Sequence, residues 1–335
     1  MSAVCIMSSI KSMLRWSFLA LLAAAAAWYV MGHRESLLSL RAIPPASLAL
    51  LLLLALSEEL LQGMQLRLFC GAFDLALRFR EWFGLTICNS MYDYFVPGRA
   101  ASGARAYYLK KVRGLTYAHF GAIFVVSNVL NLSVASFAGA AACLIWSVHT
   151  TGMPGKWLGA TLTLMAVPLA GAASLIVLPK AARHLPIGAW KEKLQRFGNG
   201  MEGLLRRADV LMAGAIVQSA KVAASAAGYF ICCRAVGGEI SYVQAVIVQS
   251  VGAFTILLPL TPGGLGIREG FVSYLSYLVG LPVELAMLAA LIQRAASMAV
   301  VFGFGLYFSH SLTRELGSGA HGGLRAAASS EQADS

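Results

Sequence analysis

Apolar positions in this chain gather into long runs, and the places where the runs stop are few. Runs of roughly 20 apolar residues, the length needed to cross a hydrocarbon core, lie at residues 14–31, 46–66, 157–178, 209–236 and 283–309. A longer one covers 117–148, so that one end projects beyond the bilayer or the helix kinks near Asn128 and Asn131. Two further apolar stretches are short. Each runs into a Pro-Gly pair, at Pro97-Gly98 and at Pro262-Gly263.

The two interrupted segments share a pattern. FVPGRAASGARAYYLKKVRGLTYA (95–118) and PLTPGGLGIREGFVSYLSYLVGLPVELA (259–286) each pass from an apolar run through Pro-Gly to small residues and an Arg. An aromatic helix follows, then Gly-Leu, then a long apolar span. The apolar arm before Pro97 is about 14 residues, or about 21 Å of helix, against about 30 Å of hydrocarbon. Such an arm enters and returns on one side. We therefore expect re-entrant hairpins at 83–113, entering from the cytoplasm, and at 241–280, entering from the outer face. The predicted fold is an all-α polytopic membrane protein with about six full spans plus two re-entrant Pro-Gly helical hairpins in an approximate inverted repeat. Broken helices at membrane depth line a cavity or site, because lipid cannot satisfy the freed backbone groups. A matched pair in two halves of a polytopic chain points to a transporter's binding site.

Composition agrees. Hydrophobic residues are 58% and charged residues 12%, against about 25% charged in soluble domains, and the mean hydropathy is +0.71. The net charge of +11 is unevenly placed. Lys11, Arg15, Arg67, Arg78, Arg80, Lys110, Lys111, Arg113 and the basic residues of 179–208 fall on one side, against Arg34, Arg41, Lys156 and Arg234 on the other. The basic side is cytoplasmic by the positive-inside rule. Both termini follow: 1–13 is a cytoplasmic N-terminus, 14–316 the membrane domain, and the Gly/Ser/Ala-rich 317–335 a disordered tail. Residues 1–31 resemble a signal sequence, but WYVMGHRES offers no small-residue cleavage site, so a retained first span is expected. The segment 179–208 alternates apolar and basic residues at helical spacing and is expected along the cytoplasmic interface. The basic residues read as topology signals with anionic headgroups as partners, and no nucleic-acid motif is present. The six cysteines form no CxxC, and the histidines show no metal spacing, so neither metal nor cofactor is expected.

Charge inside apolar sequence is costly and marks candidate chemistry. Glu58 and Glu59 lie in the second span, Lys221 in the fifth, Arg294 in the last, and Arg268 and Glu269 just past Pro262. Asp93, Arg99 and Arg105 flank the first break. An Arg at a half-helix N-terminus suits a phosphate, since free amides and the dipole favour an anion and the guanidinium grips two oxygens. Equally, Arg268–Glu269, or Arg294 with a carboxylate, can be a buried pair that fixes a hairpin to a span. Arg105 can be an interfacial topology signal. Glu58 and Glu59 can bind a cationic headgroup or a proton, or pair with Lys221. Gly98, Gly263, Gly264 and Gly266 permit positive φ and close backbone approach.

FVPGRAASGARAYYL followed by GLTYAHF, with LTPGGLGIREGF and GLPVELAMLAALIQR, resembles the lysylphosphatidylglycerol synthase transmembrane family, also called the flippase-like domain or UPF0104 family. The resemblance covers roughly residues 15–310. The first motif departs from the commoner form, having no acid after Pro-Gly-Arg, so a role for that acid does not carry over. The resemblance implies a lipid-translocating membrane domain and no synthase activity, since no soluble aminoacyl-transferase segment lies within this sequence. The expectation is therefore a transporter, not an enzyme, in a bacterial-type inner membrane, with lipids of anionic or phosphate headgroup as partners. The rivals are a non-catalytic membrane partner of a separate lipid-modifying or glycosyl transferase, and a membrane-embedded transferase. With Cys at position 193 or 156 as the single accessible thiol, an impermeant maleimide should label Lys193→Cys only after the cytoplasmic face is opened, and Lys156→Cys in intact cells. Labelling of both from one side overturns the topology.

Overall fold

The computed structural model describes residues 44–95, 101–149, 191–257 and 261–333, with isolated positions between 159 and 177 and side chains as far as 312. The chain divides after Pro45. The expected first span lies outside the described residues, and the expected span 157–178 falls mostly outside them. The rest is helical: α1 Pro45–Gly71, α2 Phe79–Asp93, α3 Ala101–Arg113, α4 Tyr117–His149, α5 Lys191–Arg206, α6 Ala208–Ala235, α7 Tyr242–Gly252, α8 Ile267–Leu278 and α9 Val283–Ala333. α9 continues over the stretch whose composition reads as a polar tail. Four of these helices are long and apolar enough to cross a membrane: Pro45–Gly71, Tyr117–Val148, Ala208–Ala235 and Val283–Leu312. The protein is an all-α polytopic membrane protein.

The two interrupted segments are helix pairs, α2 with α3 and α7 with α8, and within each pair the helices pack on one another. Each pair is closed at its open end by the third residue of its first helix. In the first, Glu81 accepts from the Arg78 amide at 2.8 Å and from Arg113 Nε, at the end of α3, at 2.7 Å. In the second, Gln244 accepts from the Ser241 amide at 2.7 Å and donates to the Val279 carbonyl, at the end of α8, at 2.7 Å. One side chain thus caps one arm and grips the other. Burial works to raise the Glu81 carboxyl pKa, and the hydrogen bonds from Arg113 and Arg78 outweigh it, leaving it lowered. Both second arms end on a left-handed glycine, Gly114 at φ 73° and Gly280 at φ 97°. The following Leu115 and Leu281 are buried, the apolar contact of a glycine C-cap. That explains the repeated Gly-Leu.

The packing of the two halves is reciprocal. α2 packs most extensively on α9, the span that follows the second pair, and α7 on α4, the span that follows the first. Both interfaces are narrowed by glycine, as close helix approach in membranes requires. A Cβ on Gly305 or Gly84 would meet Met91 Sδ at 2.9 Å or Phe308 Cδ1 at 2.8 Å, and one on Gly139 would meet Ser250 Cβ at 2.9 Å. Two apolar cores result. One holds Phe69, Ile87, Leu109, Val126 and Val301 around the first pair. The other holds Tyr229, Cys232, Val248, Val272 and Ala289 around the second. The cysteines among the described residues are free and buried.

The structure adds three details to the sequence reading. Helix α1 runs on through Arg67 to Gly71, so the link between spans shrinks to 72–78. α4 is unbroken through Asn128 and Asn131; Asn128 donates to its own Phe124 carbonyl at 2.6 Å and Asn131 accepts from Gln65. The apolar face of α5 packs against the protein. Met201 and Leu204 are buried in the first core, and Phe197 and Gly200 lie against Gly121 and Ala122 of α4. Gly139→Ala should lower thermal stability in detergent by about 1–3 kcal/mol. Gly305→Ala should cost less, because Met91 can move its thioether while the Ser250 Cβ moves only with its backbone. Equal losses would contradict that distinction.

Candidate functional site

The two cores leave a polar cavity of about 380 Å³ between them. Each apolar span contributes to it close to its halfway position: Glu58, Glu59 and Gln62 of α1, Asn131 of α4, Gln218, Lys221 and Ser225 of α6, and Arg294 and Ser297 of α9. Glu58 is about 13 residues from either end of α1, or roughly 20 Å along the axis. The helix pairs close the cavity. Ser90, Asp93 and Tyr94 come from the end of α2, and Thr261, Gly263, Gly264 and Arg268 from the second break.

Local backbone at the second break follows from its glycines. Gly263, Gly264 and Gly266 have φ of 60°, 68° and 80°, a region that non-glycine residues enter only at a cost. Gly263 has a second reason: a Cβ there would sit 2.9 Å from Tyr94 Cδ1 and 3.2 Å from Arg294 Nη2. Arg294 joins the pieces. Its Nη1 lies 3.2 Å from Glu269 Oε1, its Nη2 donates to the Gly263 carbonyl, and its guanidinium lies over the Tyr94 ring at 4.9 Å. It thus touches the end of the first pair's leading arm and the break of the second. Its Nε has no hydrogen-bond partner among the described residues.

The other charges are held across helices. Glu59 Oε2 accepts from Ser90 Oγ at 2.9 Å, and Lys221 Nζ donates to Gln62 Oε1. Gln65 Nε2 donates to Asn131 Oδ1 across helices at 2.7 Å, whereas Asn89 Nδ2 donates to Asp93 Oδ2 at 2.9 Å within α2. Glu58 lies in the field of Lys221 and Arg268. Arg268 is half-buried and makes no hydrogen bond or ion pair with the described residues.

The structure therefore brings together Glu58, Glu59, Lys221, Arg268 and Arg294, with Glu269 in a small adjoining space shared with Glu58 and Arg268. Glu269 and Arg294 form the buried pair that the sequence offered as one alternative. Glu269 also accepts from the Gly266 amide at 2.7 Å, so that amide at the start of α8 is already used. Pro262 is buried beside the cavity-lining Thr261 and Gly263. Arg105 does not line the cavity. Its Nε and Nη2 are buried without hydrogen-bond partners among the described residues, in the field of Asp93 and Glu59. It is eight residues past its Pro-Gly where Arg268 is six past its own. On a helix, two residues turn a side chain by about 200°. Pro97, Gly98 and Arg99 lie outside the described residues. Sequence reasoning missed Gln62, Gln218, Ser225 and Tyr94. For Gln62, Gln218 and Ser225 the signal was present: amides and a hydroxyl near the middle of apolar runs.

A sequence model described as the lysylphosphatidylglycerol synthase TM region matches residues 15–305. A protein of Methanothermobacter thermautotrophicus described as a UPF0104 membrane protein is 30% identical over 104 residues, 31% of this chain and 30% of that protein. The match spans less than a third of that relative's length.

Breaking a buried pair leaves an uncompensated charge, which costs about 3–5 kcal/mol. Arg294→Met and Glu269→Leu should each lower stability by about that much in thermal unfolding of the solubilised protein. The double variant should cost clearly less than the sum of the two. Strict additivity would show that the pair is not coupled.

Proposed function

The chain belongs to the family of the lysylphosphatidylglycerol synthase transmembrane region, and from that premise we propose that it moves a lipid, or a lipid-linked molecule, between leaflets. The observation that carries this reading is the cavity itself. Charged and polar side chains from four spans meet at half height, bounded by two helix pairs of matching design. A headgroup crossing hydrocarbon needs such a station, because bare charge at that depth costs several kcal/mol. Sites at mid-depth, made from interrupted helices at the junction of two halves, are how secondary transporters meet that cost.

In this mechanism Arg268 pairs with the headgroup phosphate through its guanidinium fork. Glu58, Glu59 and Lys221 balance the charge that enters, and one of the carboxylates can take a proton. The Arg294–Glu269 pair keeps the second break in shape. The reciprocal interfaces, α2 on α9 and α7 on α4, let one half rock against the other and open the cavity first to one leaflet and then to the other. The helix pairs enter from opposite faces, both termini are cytoplasmic, and the host is an inner or plasma membrane. The chain does no covalent chemistry itself, and any enzyme that makes or modifies the lipid is a separate partner.

In proteoliposomes carrying a fluorescent anionic phospholipid, the wild type should speed exchange between leaflets. Arg268→Ala should slow it about tenfold or more, the scale of a lost charged hydrogen bond, with an unchanged melting temperature. Undiminished exchange in that variant removes Arg268 from the site, and no exchange with wild type sinks the translocation reading.

A further inference from the structure

The two neighbouring carboxyl groups of α1 address different halves of the molecule, since successive helix residues point about 100° apart. Glu59 meets the first helix pair, where Ser90 Oγ donates to it at 2.9 Å. Glu58 meets Ser225, Lys221 and Arg268, and lines the small space shared with Gln249, Glu269, Gln293 and Arg294.

The hydrogen bonds around Ser225 decide what its hydroxyl offers Glu58. Gln293 Nε2 donates to the Ser225 carbonyl at 3.0 Å. A backbone carbonyl only accepts, so the Gln293 amide has one orientation. Its Oε1 then accepts from Gln249 Nε2 at 3.1 Å, and Gln249 Oε1 accepts from Ser225 Oγ at 3.3 Å. A serine hydroxyl has one proton, and this ring commits it to Gln249. Towards Glu58 the oxygen presents only lone pairs. A protonated carboxyl can donate to it, whereas an ionised one sets lone pairs against lone pairs. Ser90, by contrast, donates to Glu59 as a carboxylate requires.

The balance of charge gives such a proton a purpose. Among the described residues, Glu58, Glu59 and Asp93 line the cavity against Lys221, Arg268 and Arg294. With all six ionised the wall is neutral, and an entering anion leaves a net charge at a depth where charge is costly. With a proton on Glu58 the wall is positive by one, and one anion balances it. The charged groups around Glu58 are Glu59 beside it, Lys221 of α6, Arg268 and Glu269 of α8, and Arg294 of α9, while α7 contributes the neutral Gln249. Glu269 is held by Arg294, and Lys221 donates to the neutral Gln62 Oε1.

We infer that Glu58 carries a proton in this state, donated to Ser225 Oγ, and that one proton crosses with each anion the cavity passes. The proton comes from water on the side to which the cavity is open and returns to water on the other. Anion and proton together carry no net charge, so they move towards the alkaline side and do not respond to voltage. The coupling rests on the translocation reading, but the proton on Glu58 is testable without transport.

Infrared spectra of the detergent-purified full-length chain at neutral pH should show the C=O stretch of a protonated carboxyl. The band should be lost in Glu58→Gln, retained in Glu59→Gln and shifted in Ser225→Ala. No such band, or one that survives in Glu58→Gln, overturns the inference. In proteoliposomes carrying a fluorescent anionic phospholipid, a tenfold proton gradient should shift its distribution towards the alkaline leaflet by up to tenfold. A potassium diffusion potential without a pH gradient should not shift it, and Glu58→Gln should lose the response to pH. Exchange that follows voltage and ignores pH overturns the coupling while leaving translocation in place. No exchange in the wild type sinks the translocation reading and the coupling with it, and the infrared band alone then decides whether Glu58 is protonated.

Discussion

A guanidinium halfway along an apolar helix must find partners or water on every side, and Arg294 draws its partners from both halves of the molecule. Glu269 neutralises it, the Gly263 carbonyl accepts from it, and the Tyr94 ring covers it. Each contact fixes something else. Glu269, so held, caps the Gly266 amide and starts α8. Gly263, so held, must remain without a side chain. Tyr94, so held, brings the end of α2 to the break of the second pair. Low dielectric makes an unpaired charge here expensive, and that expense keeps the cluster together.

Around this cluster the protein is organised as two apolar cores with a polar layer between them. The cores are ordinary helix packing, tightened by Gly84, Gly139 and Gly305. The polar layer is cross-linked by hydrogen bonds between helices, Glu59 with Ser90 and Lys221 with Gln62. Hydrogen bonds of this kind in membrane proteins are individually modest, so the layer can rearrange without melting either core. The translocation proposed above would draw on that division: firm halves and a weakly bonded seam.

Much of this was legible in sequence, for local reasons. Pro262 and the three glycines after it announce a break because only glycine enters positive φ freely, and the structure puts Gly263, Gly264 and Gly266 there. The repeated Gly-Leu marks two C-caps for the same reason. Glu58, Glu59 and Lys221 stood out because charge rarely enters apolar runs. Arg105 falls outside the cavity lining, because spacing from a Pro-Gly pair sets distance along a helix but not the face on which a side chain emerges. Gln218 and Thr261 passed unnoticed because one amide or hydroxyl in an apolar run is common and usually satisfied locally.

By itself the sequence determined that the chain spans a membrane, where its two Pro-Gly breaks fall, and which charges lie inside apolar runs. These depend on hydropathy and near-neighbour sterics, which act over one helix at a time. Only the tertiary structure decided that Glu58, Glu59, Lys221, Arg268 and Arg294 share one cavity, that Glu81 and Gln244 clasp the two helix pairs in the same way, and that each pair leans on the span following the other. Those outcomes depend on how helices rotate and approach one another. That is set by the packing of side chains far apart in the chain, where a single Cβ against Ser250 or Tyr94 is enough to alter the answer.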